Sequence, residues 1–458
     1  MAEATLGPDT QRPAEQTELK RAIGPKLLLF FVIGDILGTG IYALTGSVAK
    51  AIGGALWIPF FLAFVVAFIT AFSYLELVGK YPRAAGAALY THKAFGINFL
   101  TFMVTFTVMS SGVTSAATAA KAFGDTYLKE FITLPTWAVA AVFIAGLALI
   151  NFRGVGESVK ANVVLTCIEL SGLLLIIAVG VYAVVAGRGE PARLVEINTG
   201  DNGVFFAITA ATSLAFFAMV GFEDSVNMAE ECQSPSRIFP RAMLLGMGIA
   251  GLIYVIIAVL SSMLVSAADL GAAGSGALFR VLEAGAPGFP LAVFAAIGLF
   301  AVVNSALINM LMASRLLYGM ANERIIPRAF GRVHQNRRTP WVAIVFTSVV
   351  AIILVLTADI SLLGGTTALL LLAVFTIVNI AVLVLRRDRV EHEHFRAPGW
   401  TPYVGIVLCG FLATPLSGRP LQQFVVAGIL LVVGAVLWVI NYFVVGKVEV
   451  DPTHLTKG

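Results

Sequence analysis

Gly34-Asp35-Ile36-Leu37-Gly38-Thr39-Gly40-Ile41-Tyr42 stands inside the first long hydrophobic run of the chain, and Phe217-Ala218-Met219-Val220-Gly221-Phe222-Glu223 stands inside the sixth. Each places glycine where a membrane-crossing helix should be continuous. Unwound backbone at membrane depth is tolerated only where it is buried in protein or lines a cavity. The breaks at Gly38-Thr39-Gly40 and at Ala218-Met219-Val220-Gly221 therefore read as a binding site. Unwinding frees N–H groups at the positive end of a half-helix, which suit a carboxylate, and C=O groups, which suit an ammonium or a cation. A ligand carrying both charges fits best. The breaks fall in corresponding places of two halves of the chain, the sequence pointer to an inverted-repeat secondary transporter.

The rest of the chain agrees with a membrane setting. Of 458 residues, 59% are hydrophobic and 12% charged, with mean hydropathy +0.92; soluble domains carry about 25% charged residues. A helix needs about 20 apolar residues to span. Twelve segments are expected to do so: 27 to 51, 53 to 79, 97 to 120, 133 to 151, 160 to 187, 203 to 228, 241 to 266, 289 to 319, 341 to 357, 360 to 385, 402 to 417 and 422 to 446. Pro402, Pro415 and Pro420 crowd the eleventh. The expected class is an all-α integral membrane protein of 12 transmembrane helices.

Orientation follows from Lys and Arg in the short loops. With the N-terminus in the cytoplasm, the outer side receives only Lys50, Lys121, Lys129, Arg188, Arg193, Arg280 and Arg419 of the 30 Lys and Arg residues. Arg315 lies inside the eighth segment, and the others fall on the cytoplasmic side. Both termini are therefore expected in the cytoplasm. The basic balance is explained by topology, so no nucleic-acid partner is implied. Residues 1–26 read as a polar, disordered cytoplasmic tail and 447–458 as a second tail. The first apolar segment is too long for a signal-peptide core, so no cleavage is expected. Cys167 and Cys409 fall in segments and Cys232 at the cytoplasmic end of the sixth, which leaves no disulfide framework. No cysteine occurs between residues 121 and 132, so no disulfide-linked accessory subunit is expected.

Segments one to five (27–187) and six to ten (203–386) form two blocks of similar length, with two further segments (402–446) appended. Five is odd, so the second block enters the membrane from the opposite side and any repeat is inverted. Ser110, Ser111, Thr114, Ser115 and Thr118 make a hydroxyl face on the third segment at helical spacing; Asn304, Ser305 and Asn309 do so more weakly on the eighth. Helix packing and cavity lining both account for such faces, packing being the commoner use. Glu230, Glu231, Arg237 and Arg324 lie in cytoplasmic stretches and admit two readings, an ion-paired gate or ordinary interfacial charge, the second favoured.

Several of these stretches together resemble the amino acid, polyamine and organocation (APC) superfamily, close to the bacterial relatives of the cationic amino acid transporters. The carriers are the two broken segments, Ser73-Tyr74-Leu75-Glu76-Leu77 with Tyr81-Pro82-Arg83-Ala84-Ala85-Gly86-Ala87-Ala88-Leu89-Tyr90, the Glu230 to Pro240 loop, and Ser314-Arg315 through Tyr318 to Met320-Ala321. In this order and spacing, over residues 24 to about 446, they are specific. The resemblance implies a five-plus-five inverted-repeat, LeuT-like fold in which the first, second, sixth and seventh helices rock against the others. It implies that a substrate carboxylate meets the amides of Gly38, Thr39 and Gly40, and that an α-ammonium meets carbonyls near Phe217, Ala218 and Val220 beside Gly221. Phe222 would be an aromatic gate; simple packing is its alternative.

Acids at membrane depth are functional hypotheses by default. Glu223 matches an acidic position of the family and could couple proton to substrate, or cap the half-helix through its freed amides. Asp224 is expected to face the inner vestibule. Asp35, one turn before Gly38, could pair with a cytoplasmic base or bind the coupling cation. Glu169 departs from the family. Proton-coupled members often carry a lysine in the fifth span, and aligning Gly154 through Cys167-Ile168 with that pattern puts Glu169 at the lysine. It could carry the proton itself, help to bind sodium, or mark the loss of coupling. Proton coupling ranks first.

The function expected is secondary active transport of an amino acid or related amine across the plasma membrane, by proton symport or exchange, leaning to cationic amino acids. A polyamine offers no carboxylate to the first break. A membrane sensor would need a signalling domain, for which tails of about 26 and 12 residues leave no room, and a channel would not show exchange-stimulated uptake. No enzyme activity, cofactor or metal is expected. All five histidines fall in loops or tail, and Glu391-His392-Glu393-His394 reads as a solvated linker before a metal site.

Overall fold

The computed structural model describes residues 23–83, 86–153, 158–198, 203–322, 326–335, 337 and 339–445. The tail residues 1–22 and 447–458, residues 154–157 of the fifth-segment motif, and the Glu230, Glu231 and Arg324 side chains of the gate reading lie outside the described residues. Within them the chain is helical, with one isolated bridge between Ile23 and Cys232.

Among the described residues ten helices are long and apolar enough to cross a membrane: Pro25–Ile52, Trp57–Lys80, Asn98–Glu130, Thr136–Arg153, Asn162–Val185, Gly203–Ala229, Pro235–Leu264, Leu291–Ala321, Ile360–Leu385 and Leu421–Val444. Two shorter apolar helices, Trp341–Thr357 and Thr401–Leu412, complete the order. These are the first to twelfth segments below, numbered along the chain. Their apolar residues come in unbroken runs, as expected for helices that meet lipid or other helices on every side. The eleventh stops at Leu412, short of its expected end at 417. Pro415 has no N–H to continue the helix and instead opens a short 3-10 turn, Pro415–Ser417.

Packing centres on the third segment, which lies against the eighth and the tenth, while the first half-helix, Pro25–Leu37, lies against the fifth and seventh. Among the described residues three α-helices sit outside the expected segments: Gly86–Phe95, Ala267–Ala273 and Ala277–Gly285. The last two cover one end of the first segment. Gly46 meets them so closely that a Cβ there would lie 2.1 Å from the carbonyl oxygen of Gly274.

The tenth segment is fastened at both ends. At one end Arg386 grips Glu76 of the second segment with two parallel bonds of 2.9 and 2.8 Å, and the same carboxylate accepts from the amide of Ala397 at 2.9 Å. Lys80 donates to the carbonyls of Leu385 and Asp388, and Tyr81 donates to the Asp388 carboxylate. His392 contacts the Gly79 carbonyl at 3.0 Å, so this ring packs on the second segment. At the other end Arg419 is buried and donates to carbonyls of Leu412, Gly365 and Ser213 at 2.6, 2.9 and 3.1 Å. That guanidinium joins the sixth, tenth and eleventh segments without a carboxylate, using carbonyl dipoles instead.

Candidate functional site

The first segment breaks at one residue. Helix runs to Leu37, Gly38 adopts φ −38° and ψ −152°, and helix resumes at Thr39 with no side chain capping its first turn. The first amides of a helix have no intrahelical acceptor, so those of Thr39 and Gly40 are left to the site. On the other side of the break, the Ile36 carbonyl is satisfied by the Tyr254 hydroxyl at 2.6 Å.

The sixth segment breaks over a much longer stretch. Its α-helix ends at Ala215, a 3-10 turn covers Phe216–Met219, Gly221 takes φ +126°, and 3-10 geometry returns over Asp224–Glu231. Glu223 folds back so that its carboxylate accepts from the Gly221 amide at 2.9 Å. Among the described residues nothing donates to the carbonyls of Ala218, Met219 or Val220.

The two breaks touch. A Cβ on Gly40 would lie 2.4 Å from the Cα of Ala218, and one on Gly221 would lie 2.6 Å from the carbonyl oxygen of Asp35. Gly221 is constrained twice, because a positive φ also disfavours any side chain there. Glycine at these positions lets backbone approach backbone.

Two adjoining cavities lie along this contact. The first is lined by Asp35, Ile36, Gly38, Thr39, Gly40, Ser115, Phe217, Val220, Gly221, Asp224, Ser305 and Asn309. The second is lined by Val108, Ser111, Gly112, Val220, Glu223, Asp224, Asn309, Met312, Ala313, Leu316 and Leu371. Val220, Asp224 and Asn309 are common to both. The spaces are about 20 and about 10 Å³, room for about one water each, so a larger ligand enters only when the flanking segments separate. The first cavity is polar and under-satisfied: the Thr39 hydroxyl and one carboxylate oxygen of Asp35 are buried without a partner.

The expected site residues divide accordingly. Gly38, Thr39, Gly40, Phe217, Val220, Gly221 and Asp35 meet around the first cavity, and Glu223 lines the second. Ala218 supports the wall by packing on Gly40. Phe222 lines neither cavity; it is fully buried against Tyr74 and Phe375, with ring centroids at 5.7 and 5.2 Å. Glu169 lines neither cavity as well. Its side chain is buried with both oxygens unpartnered, while Tyr42 donates to its backbone carbonyl at 2.7 Å. Asp224, expected towards a vestibule, lies at the junction of the two cavities. Of the hydroxyl faces, Ser111, Ser115, Ser305 and Asn309 line cavity, whereas Thr114 bonds Thr367 at 2.6 Å and serves packing. The i, i+4 spacing of Ser305 and Asn309 with the matching Ser111 and Ser115 was the available signal for two facing polar walls.

A multi-pass helical membrane protein with a polar cavity held between two broken helices is, in class, a permease and not an enzyme. The family is shown by comparison: the model described as amino acid permease matches residues 23–448, and the chain belongs to that family of the APC superfamily. Its relatives include the branched-chain amino acid permease BcaP of Bacillus subtilis (strain 168), 23% identical over 90% of this chain and 91% of that one. The methylthioribose transporter of the same organism is 27% identical over 90% and 92%. Cationic amino acid transporter 4 of Mus musculus is 27% identical over 81% of this chain and 60% of its own length.

Proposed function

We propose that this permease is a secondary active transporter of amino acids in the plasma membrane, working by alternating access through proton symport or exchange, with cationic amino acids as preferred substrates. One observation carries the reading: a single cavity is bordered by the uncapped amides that follow Gly38 and by the carboxylate of Asp35 and the backbone around Val220 and Gly221. An α-carboxylate suits the first wall and an α-ammonium the second. The reading keeps the two blocks, 27–187 and 203–386, as inverted repeats with residues 402–446 appended, and keeps both termini in the cytoplasm on the charge asymmetry of the loops.

Coupling is assigned to Glu169, with Glu223 and Asp35 as alternatives. A buried carboxylate with no donor is satisfied by a proton or by a cation, and sodium is the second candidate for that reason. A neutral-substrate exchanger is the alternative with a specific support, the relative named for branched-chain amino acids. Proteoliposome uptake of labelled amino acids and amines, with and without pH and sodium gradients, tests both. Saturable uptake driven by a pH gradient is expected, and Glu169→Gln should flatten its pH profile. Uptake indifferent to both gradients removes the coupling assignment and leaves exchange; an unchanged profile in the variant moves the proton to Glu223 or Asp35.

A further inference from the structure

The sixth segment carries two consecutive acids, and their surroundings differ. The Glu223 carboxylate is committed to the amide of Gly221 at 2.9 Å. The neighbouring Asp224 is only half-buried, accepts no hydrogen bond among the described residues, and borders both cavities. Among the described residues only three have that double position, and the other two are the neutral Val220 and Asn309. Asp224 is therefore the charged group at the passage between the cavity of the helix breaks and the second one.

The second cavity has a composition of its own. Val108, Met312, Leu316 and Leu371 give it an apolar wall, Gly112 leaves room on the third segment, and Ser111, Asn309 and the two acids supply its polar atoms. An aliphatic stem ending in a cation matches such a wall, since long basic side chains lay their methylenes on apolar surface and keep the charge at a polar tip. The ligand-facing polarity of the first cavity has an independent mark: Thr39, 1% exposed, lines it with an unpartnered hydroxyl.

We infer that Asp224, with Asn309 beside it, is the specificity-determining residue for substrate side-chain charge, holding the terminal cation of a lysine-like amino acid whose α-groups lie at the two helix breaks. This rests on the amino acid reading above and deepens it by assigning selectivity to one of two adjacent acids. Glu223 holds the break in shape, and Asp224 reads the ligand. Loss of its charge removes the attraction for the side-chain ammonium and leaves the backbone contacts to the α-carboxylate and α-ammonium in place. Discrimination between cationic and neutral substrates should therefore collapse before transport itself does.

The test compares uptake of labelled L-lysine and L-leucine by the full chain in proteoliposomes, as wild type, Asp224→Asn and Asp224→Glu. The expected result is that Asp224→Asn raises the KM for lysine at least tenfold and shifts that for leucine less than twofold, with Asp224→Glu restoring most of the lysine affinity. An unchanged lysine KM in Asp224→Asn overturns the assignment. So does an equal loss on both substrates, which marks a structural role; detergent-solubilised thermal unfolding then shows the same loss without substrate. Wild-type uptake of leucine but not lysine overturns the assignment while amino acid transport stands. Uptake of neither breaks the amino acid reading and this assignment with it.

Discussion

The two helix breaks solve the same problem with opposite polarity. In the first segment the interruption is confined to Gly38, and the buried side chain that repairs it, Tyr254, is a donor spent on a freed carbonyl, that of Ile36. In the sixth the interruption runs from Phe216 to Glu231, and the side chain that repairs it, Glu223, is an acceptor spent on a freed amide, that of Gly221. Each repair satisfies one freed backbone group. Helix-start amides at the first break and carbonyls at Ala218 to Val220 in the second are left beside the cavity between them.

That contrast can be broken at its contact points. Gly221→Ala should do the most damage, because it adds strain at φ +126° to a clash with the Asp35 carbonyl; strain and overpacking together cost about 3 kcal/mol or more. Uptake at low substrate should fall on the order of a hundredfold, each tenfold being about 1.4 kcal/mol. Gly40→Ala meets Ala218 at ordinary helical φ, so only the clash operates, and a loss of roughly tenfold is expected from about 1–2 kcal/mol of overpacking. If the two variants are equally impaired, the breaks are equally rigid and the comparison fails.

Glu223 separates cap from charge. Glu223→Gln keeps an oxygen for the Gly221 amide, whereas Glu223→Ala leaves that amide unpaired at about 1–3 kcal/mol. Thermal unfolding in detergent should show the alanine variant clearly destabilised and the glutamine variant within about 1 kcal/mol of wild type. Equal destabilisation would show that the negative charge, and not the acceptor, holds the sixth segment. The smallest effect is expected at the first break, where Tyr254→Phe removes one hydrogen bond worth about 1 kcal/mol. A melting temperature lower by roughly 2 °C is the corresponding shift in a chain of this size.

Much of this was legible in the residues. Long apolar runs place the segments, because lipid-facing helices tolerate few polar residues, but the ends drift: the third helix runs past 120 to Glu130, and the seventh begins at Pro235, before 241. The breaks were legible as glycine in the wrong place. Their unequal width was not: nothing in Phe216-Phe217-Ala218-Met219 forbids an α-helix, and the 3-10 turn there follows from how that stretch is pressed against Gly40 and its neighbours. The helices Ala267–Ala273 and Ala277–Gly285 also escaped, being too short for a hydrophobic run, although Leu278, Val281 and Leu282 share a buried face. Asp224 was legible as an acid at membrane depth, expected towards a vestibule, but not as the residue between two cavities. That place depends on packing, and the commitment of Glu223 to the Gly221 amide shows only in the fold.

The bridge between Ile23 and Cys232 has a mechanical meaning. The amide of Gln233 donates to the Ile23 carbonyl at 2.9 Å, so the start of the first half-helix is moored to the chain just beyond the sixth segment. Any displacement of the start of the first half-helix relative to the chain after the sixth segment has to break that tie, a barrier of about 1 kcal/mol for the one hydrogen bond.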